Sequence, residues 1–149
     1  MSNIRDDIAK DIVKQLQGIT DPAVVVVSRN PINLTDLSIA QYPAIVVRTT
    51  SELRTDETMR ELRFGEVEYT ISCYVRSKSS ATTVNDSIDE QKNTLVEAVE
   101  EKLEEDRTRG GQAMNSYVTN VVADDGSIFP IGRVDITYIV RYKYTRGTL

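Results

Sequence analysis

Between Glu66 and Arg76 the chain reads EVEYTISCYVR, and its side chains change character at nearly every step. Val67, Tyr69, Ile71, Cys73 and Val75 fall on one face of an extended chain; Glu66, Glu68, Thr70, Ser72 and Arg76 fall on the other, where Tyr74 is the only large ring. One dry face and one wet face suit an antiparallel sheet covered on a single side. Strands of a parallel sheet, buried on both faces, read instead as unbroken apolar runs.

The covering layer is readable too. Ile4, Ile8, Ile12 and Leu16 recur every fourth residue, with Ala9 and Val13 widening the stripe, so the first segment is an amphipathic helix that Gly18 ends. A second helix is expected from Asp86 or Ser87, where Ser87 and Glu90 form a capping box, to Arg107; Ile88, Leu95, Val96, Val99, Leu103 and the stem of Lys92 make its stripe. Its outer face carries Glu100, Glu101, Glu104, Glu105 and Asp106 near the end where a helix dipole prefers cations. That cluster reads as a solvated face, an acidic docking surface or the wall of a channel. Arg109-Gly110-Gly111 follows as a left-handed cap, and without a Lys-Ser/Thr pair it is not a phosphate loop.

The remaining strands are placed by composition and alternation. Ala23 to Ser28, AVVVVS, is an uninterrupted β-branched run expected as a short buried strand. Ala44 to Arg48, entered through Pro43, is its expected partner. Ser116 to Ala123 and Arg133 to Arg146 supply two more strands, the last with Val134, Ile136, Tyr138, Val140, Tyr142 and Tyr144 on one face. Between Thr49 and Gly65 lie Arg54, Arg60 and Arg63 against Glu52, Asp56, Glu57 and Glu61. A connection of this length inside a compact domain is a solvated extension such as a hairpin, or an arm that orders against a partner subunit. In the second reading Arg54, Asp56, Glu57, Arg60, Glu61 and Arg63 are the interface residues.

The expected fold is therefore α+β: a two-layer sandwich of a mainly antiparallel sheet with two helices on one face, in the order α-β-β-(arm)-β-α-β-β, as a single domain over residues 1–149. Composition narrows the function classes. The chain has no histidine, and Cys73, its one cysteine, sits on the apolar face, so the commonest general base, metal ligand and thiol nucleophile are lacking or hidden. The carboxylates are scattered over turns and helix surface, so the expectation is no enzyme, no cofactor and no metal site; the Asp124-Asp125-Gly126-Ser127 turn lacks the spacing of a calcium loop. A net charge of -5 argues against general nucleic-acid or anionic-membrane binding. No stretch approaches the roughly 18 apolar residues of a membrane span, and the charged start MSNIRDDIAK does not read as a signal peptide, so the expectation is a cytoplasm-like compartment.

The succession DIAKDIVKQL, YPAIVVR, a charged arm, VEYTISCYVRS, IDEQKNTLVEAVEEKL and RVDITYIVRYKY resembles the tail terminator family of long-tailed bacteriophages, also called tail completion or minor tail proteins of the neck. The resemblance covers nearly the whole chain and is one of pattern. It implies a structural protein of the virion tail or neck, assembled in the host cytoplasm. Its members form a homohexameric ring on the last ring of tail tube protein, stop polymerisation and present a surface to head-side neck proteins. Implied partners are further copies of this chain, the tube protein and a head-side connector protein, with the tail sheath protein as a further candidate and DNA only as passing cargo. The acidic face Glu100, Glu101, Glu104, Glu105 would then look into the channel. Head-completion proteins and tube proteins share the same mixture of elements, and a cellular protein-binding adaptor is a third alternative.

Overall fold

The computed structural model describes residues 3–20, 23–30, 41–55, 62–76, 88–111, 113–124 and 131–145. Within them the elements are α1 (Ile4–Gln17), β1 (Val26–Ser28), β2 (Ala44–Thr55), β3 (Leu62–Arg76), α2 (Ile88–Glu104), β4 (Asn115–Ala123) and β5 (Ile131–Thr145). The five strands form one mixed sheet in the order β1-β2-β3-β5-β4, in which β1 runs parallel to β2 and every other neighbour is antiparallel. The fold is α+β.

β3 is central because its alternation is matched on both sides. Val67, Tyr69, Ile71 and Cys73 register with Val140, Tyr138, Ile136 and Val134 of β5, and Ile71 and Cys73 with Val47 and Ile45 of β2. Helix stripes close over this face: Ile8, Ile12 and Leu16 of α1, and Leu95, Val99 and Leu103 of α2, join the same buried cluster. Each such side chain contributes about 1.5–3 kcal/mol by leaving water, so the two-helix layer follows from matched stripes. Both helices pack on one side of the sheet. On the other side Tyr42, Ala44, Val46 and Tyr74 form a small second cluster.

Helix limits have local causes. Asn3, in an extended conformation, accepts the Arg5 N–H at 2.9 Å and caps α1, whose first turn carries Asp6 and Asp7 and whose last carries Lys14. Gly18 closes α1 with an ordinary right-handed backbone; a side chain there would meet the Lys102 stem at 3.1 Å. Tyr69, fully buried, donates from its hydroxyl to the Arg5 carbonyl at 2.8 Å and ties the start of α1 to the central strand.

Several expectations are corrected. α2 ends at Glu104, not Arg107, because Asp106 turns its carboxylate back to accept from the Thr108 N–H at 3.0 Å, the Thr108 hydroxyl at 2.6 Å and the Gly110 N–H at 2.8 Å. The valine run supplies only a three-residue strand, and Val25 just before it is 54% exposed; among the described residues β1 is one of the sheet's two outer strands, with a neighbour on one side only. Its pairing with β2 is parallel. Residues 49–55 and 62–65 continue β2 and β3 as one long antiparallel pair, in keeping with the hairpin reading of this stretch, with a bulge between Thr49 and Ser51. Ser87 of the expected capping box lies outside the described residues.

Candidate functional site

β2, β3 and β5 together reach past the two outer strands of the sheet. β4 begins at Asn115, level with Arg141, whereas β3 and β5 stay paired out to Leu62 and Thr145. Near this end Gly65 faces Tyr142, whose fully buried ring lies over the glycine: a Cβ at Gly65 would stand 2.7 to 2.9 Å from the ring carbons and hydroxyl. Glycine here makes room for an aromatic lid on the adjacent strand. On the helix-bearing side Glu52 receives Arg54 at 2.9 Å and Arg5 of α1 at 3.5 Å, so the base of the hairpin is tied to α1 by charge. Leu53 points the other way and is 65% exposed.

Of the interface residues expected from sequence, Arg54 is held by Glu52 on its own strand. Asp56, Glu57, Arg60 and Glu61 lie outside the described residues, and Arg63 is placed only by its backbone pairing with Tyr144.

The helix-free face of the sheet is polar and internally paired. Glu66 meets Arg141 at 3.2 Å across β3 and β5; Asp135 accepts from Ser72 at 2.7 Å and from Arg133 at 2.9 Å. Arg133 also stands over the Tyr74 ring at 5.6 Å, and Lys143 over Phe64 at 5.9 Å. Arg133, Arg141 and Lys143 on this face are thus each matched by a carboxylate or stacked on a ring.

The acidic residues of α2 remain at its C-terminal end, Glu101, Glu104 and Glu105 exposed and Glu100 half-buried. Lys102 reaches Glu105 at 3.2 Å and Arg107 reaches Glu104 at 3.6 Å. What sequence reasoning missed is Arg109. Its backbone is left-handed at φ 49, followed by Gly110 at φ 73 and Gly111 at φ 88, and this turn sends the guanidinium inward to complete burial. There it donates to the carbonyls of Leu103, at 2.7 Å, and Asp106, pairs with Asp11 of α1 at 3.2 Å and lies 6.0 Å from the Tyr138 ring. A cation on the last carbonyls of α2 answers the dipole that the glutamates oppose. Burial raises the Asp11 carboxyl above its ordinary value, and the Arg109 charge pulls against that rise. The only signal for this in sequence is a cation before paired glycines, which reads equally as a surface cap. Beside it Tyr138 donates to Ser116 at 2.5 Å and Ser116 to the Arg107 carbonyl at 2.8 Å, anchoring the loop after α2 to the sheet.

A second buried ion pair, Lys92 to Asp124 at 3.1 Å, joins α2 to the end of β4, and the same carboxylate accepts the Arg133 N–H at 2.9 Å. Cys73 is buried, and burial pushes its thiol up to about 12. An open depression at the start of α1 is bounded by Asn3, Arg5, Asp6, Arg29 and Thr49; its Arg29 is already paired with Asp6 at 3.0 Å. Among the described residues no group of three or more His, Cys, Asp or Glu is placed to hold a metal ion, and no helix is long and apolar enough to cross a membrane.

No family model matches the sequence, and no curated protein matches it. Among solved structures a chain described as "Virion of native gene transfer agent (GTA) particle" superposes with a TM-score of 0.58, covering 97% of this chain and 100% of that chain. The two chains share a fold. Their sequences are 11% identical, so the likeness is one of architecture carried end to end by different side chains.

Proposed function

We propose that this chain is a structural protein of a phage-like virion, a tail terminator that closes into a homohexameric ring on the end of the tail tube, stops its polymerisation and offers an attachment surface to head-side neck proteins. The observation that carries the proposal is the end-to-end fold likeness to a chain of a virion particle. The extension that β2, β3 and β5 form beyond the outer strands supports it, because a ring closes only when each subunit fixes its neighbour's rotation, and an extension that reaches the next subunit would set that angle. The hairpin's charged residues Arg54, Asp56, Glu57, Arg60, Glu61 and Arg63 are the proposed contacts with the neighbour. The chain works without a catalytic centre, by covering the assembly surface of the last tube ring.

In this reading Glu100, Glu101, Glu104 and Glu105 face the channel, where like charge keeps passing DNA from sticking. Replacing all four by lysine without any change in genome delivery would remove that assignment. The tail sheath protein is a candidate outer neighbour.

The test of the ring is mass by light scattering, then electron microscopy, on the chain alone and mixed with its tube protein. Six-membered rings, free or seated on tube ends, are the expected result. A monomer that leaves tube ends bare and growing overturns the reading, and one that instead binds a head-side connector supports a head-completion role.

A further inference from the structure

Among the described residues the two outer strands of the sheet are guarded only by the shortness of β1 and a bulge in β4, not by charge. β4 (Asn115–Ala123) carries no charged residue, and neither does the run Ala23 to Ser28 that contains β1. The inner strands carry the charges instead: Arg48, Glu52 and Arg54 in β2, Glu66, Glu68 and Arg76 in β3, and Arg133, Asp135, Arg141 and Lys143 in β5. A sheet that stays alone does the opposite, placing lysines, prolines or other charges on its edges to block pairing with another chain. Four of the five large exposed apolar side chains follow the same division. Among the described residues the large exposed hydrophobics are Val25, beside β1; Met114, Val121 and Val122, beside or on β4; and Leu53 on the hairpin.

Strand direction decides how two copies can meet. β1 runs with β2, β3 against it, β5 with it and β4 against it, so the two edges of the sheet point in opposite directions. Rotating a copy about an axis along the strands therefore lays its β1 antiparallel beside β4, the more stable kind of ladder. Register also matches the faces. Val121 pairs with Ile136, under the helices, and Val27 pairs with Ile45 of the same core, so the joined edges bring Val27 and Val121 to one side of the continued sheet.

We propose that β4 of one subunit pairs with β1 of a second copy of this chain, so that one sheet continues from subunit to subunit. The inference rests on the ring reading for the number of copies and adds which surfaces join. It is heterologous, as a ring requires: each subunit offers one edge and accepts the other.

The experiment uses Val25→Lys and Val122→Lys, both at sites 54% exposed in the subunit, so each variant is expected to keep the wild-type circular dichroism and melting temperature. Measured by light scattering, each variant alone is expected to fall from the ring's mass to that of one subunit. An equal mixture is expected to double that mass and stop there, because the unaltered β4 of the Val25→Lys chain meets the unaltered β1 of the Val122→Lys chain. Folded variants that still form wild-type rings overturn the edge pairing and leave the ring intact. So does a Val25→Lys chain that dimerises by itself, which would mean that β4 pairs with its own copy about a twofold axis. Wild-type chains that join into open filaments, broken by either substitution, support the edges and sink the ring. A wild-type chain that is a monomer in solution and on tube ends overturns both.

Discussion

Replacing Arg109 by methionine tests whether the end of α2 is held by its buried cation. Methionine keeps most of the stem and removes the guanidinium, which is fully buried against the Leu103 and Asp106 carbonyls, Asp11 and Tyr138. Two carbonyls lose charged donors, at about 1–3 kcal/mol each, and the cation's own desolvation penalty, of several kcal/mol, is refunded in part. The balance is a loss of about 3 kcal/mol, within the usual range for breaking a buried pair. In a domain of this size that lowers the melting temperature by roughly 6–12 °C. The loss also depends on pH with a definite sign. Burial holds the Asp11 carboxyl above its ordinary value even with Arg109 beside it. A raised carboxyl favours the fold fully below its ordinary pKa, and that contribution is lost as pH rises through the folded value. Without Arg109 the carboxyl rises further, so the deficit of the variant is larger at pH 7 than at pH 4. Urea unfolding of both proteins at the two pH values measures this. A methionine variant within about 0.5 kcal/mol of wild type at pH 7, or a deficit that grows on acidification, would refute the reasoning.

Gly65→Ala reverses an ordinary rule. Elsewhere in a strand the change gains about 0.5–1 kcal/mol, but here the new Cβ meets the buried Tyr142 ring at 2.7 Å, so the urea midpoint should fall by the equivalent of about 1–3 kcal/mol; a midpoint at or above wild type contradicts the packing. Cys73, with its thiol up to about 12, should resist Ellman's reagent at pH 8 in the folded protein and react only as fast as the chain opens; reaction within seconds, well ahead of unfolding, rules out the buried position.

The sequence disclosed whatever depends on a local period. Ile4, Ile8, Ile12 and Leu16 are buried or half-buried as the four-residue spacing predicts, and Val67 through Val75 alternate because one face of the sheet must lie under the helices. Pairing between distant segments has no such trace. That β5 lies between β3 and β4, or that β1 is parallel to β2, is set by crossovers whose residues carry no mark of it. The stretch from Thr49 to Arg54 reads as an arm because its side chains, Glu52 apart, are exposed, so its strand residues need no apolar face. Arg109 was hidden for a different reason: its burial depends on a left-handed backbone and on an Asp11 nearly a hundred residues earlier, neither of which periodicity records.

The position of β3 also orders events during synthesis. Its first partner, β2, is already made when β3 leaves the ribosome, but its other partner, β5, starts at Ile131, roughly 55 residues after Arg76. At about 5–20 residues per second the long edge of the central strand waits several seconds without its ladder. Glu66 and Glu68 stand on that strand's wet face, where charge discourages a stray chain from settling. The nascent protein thus has a vulnerable interval that the finished fold conceals, and it ends only when the last strand arrives.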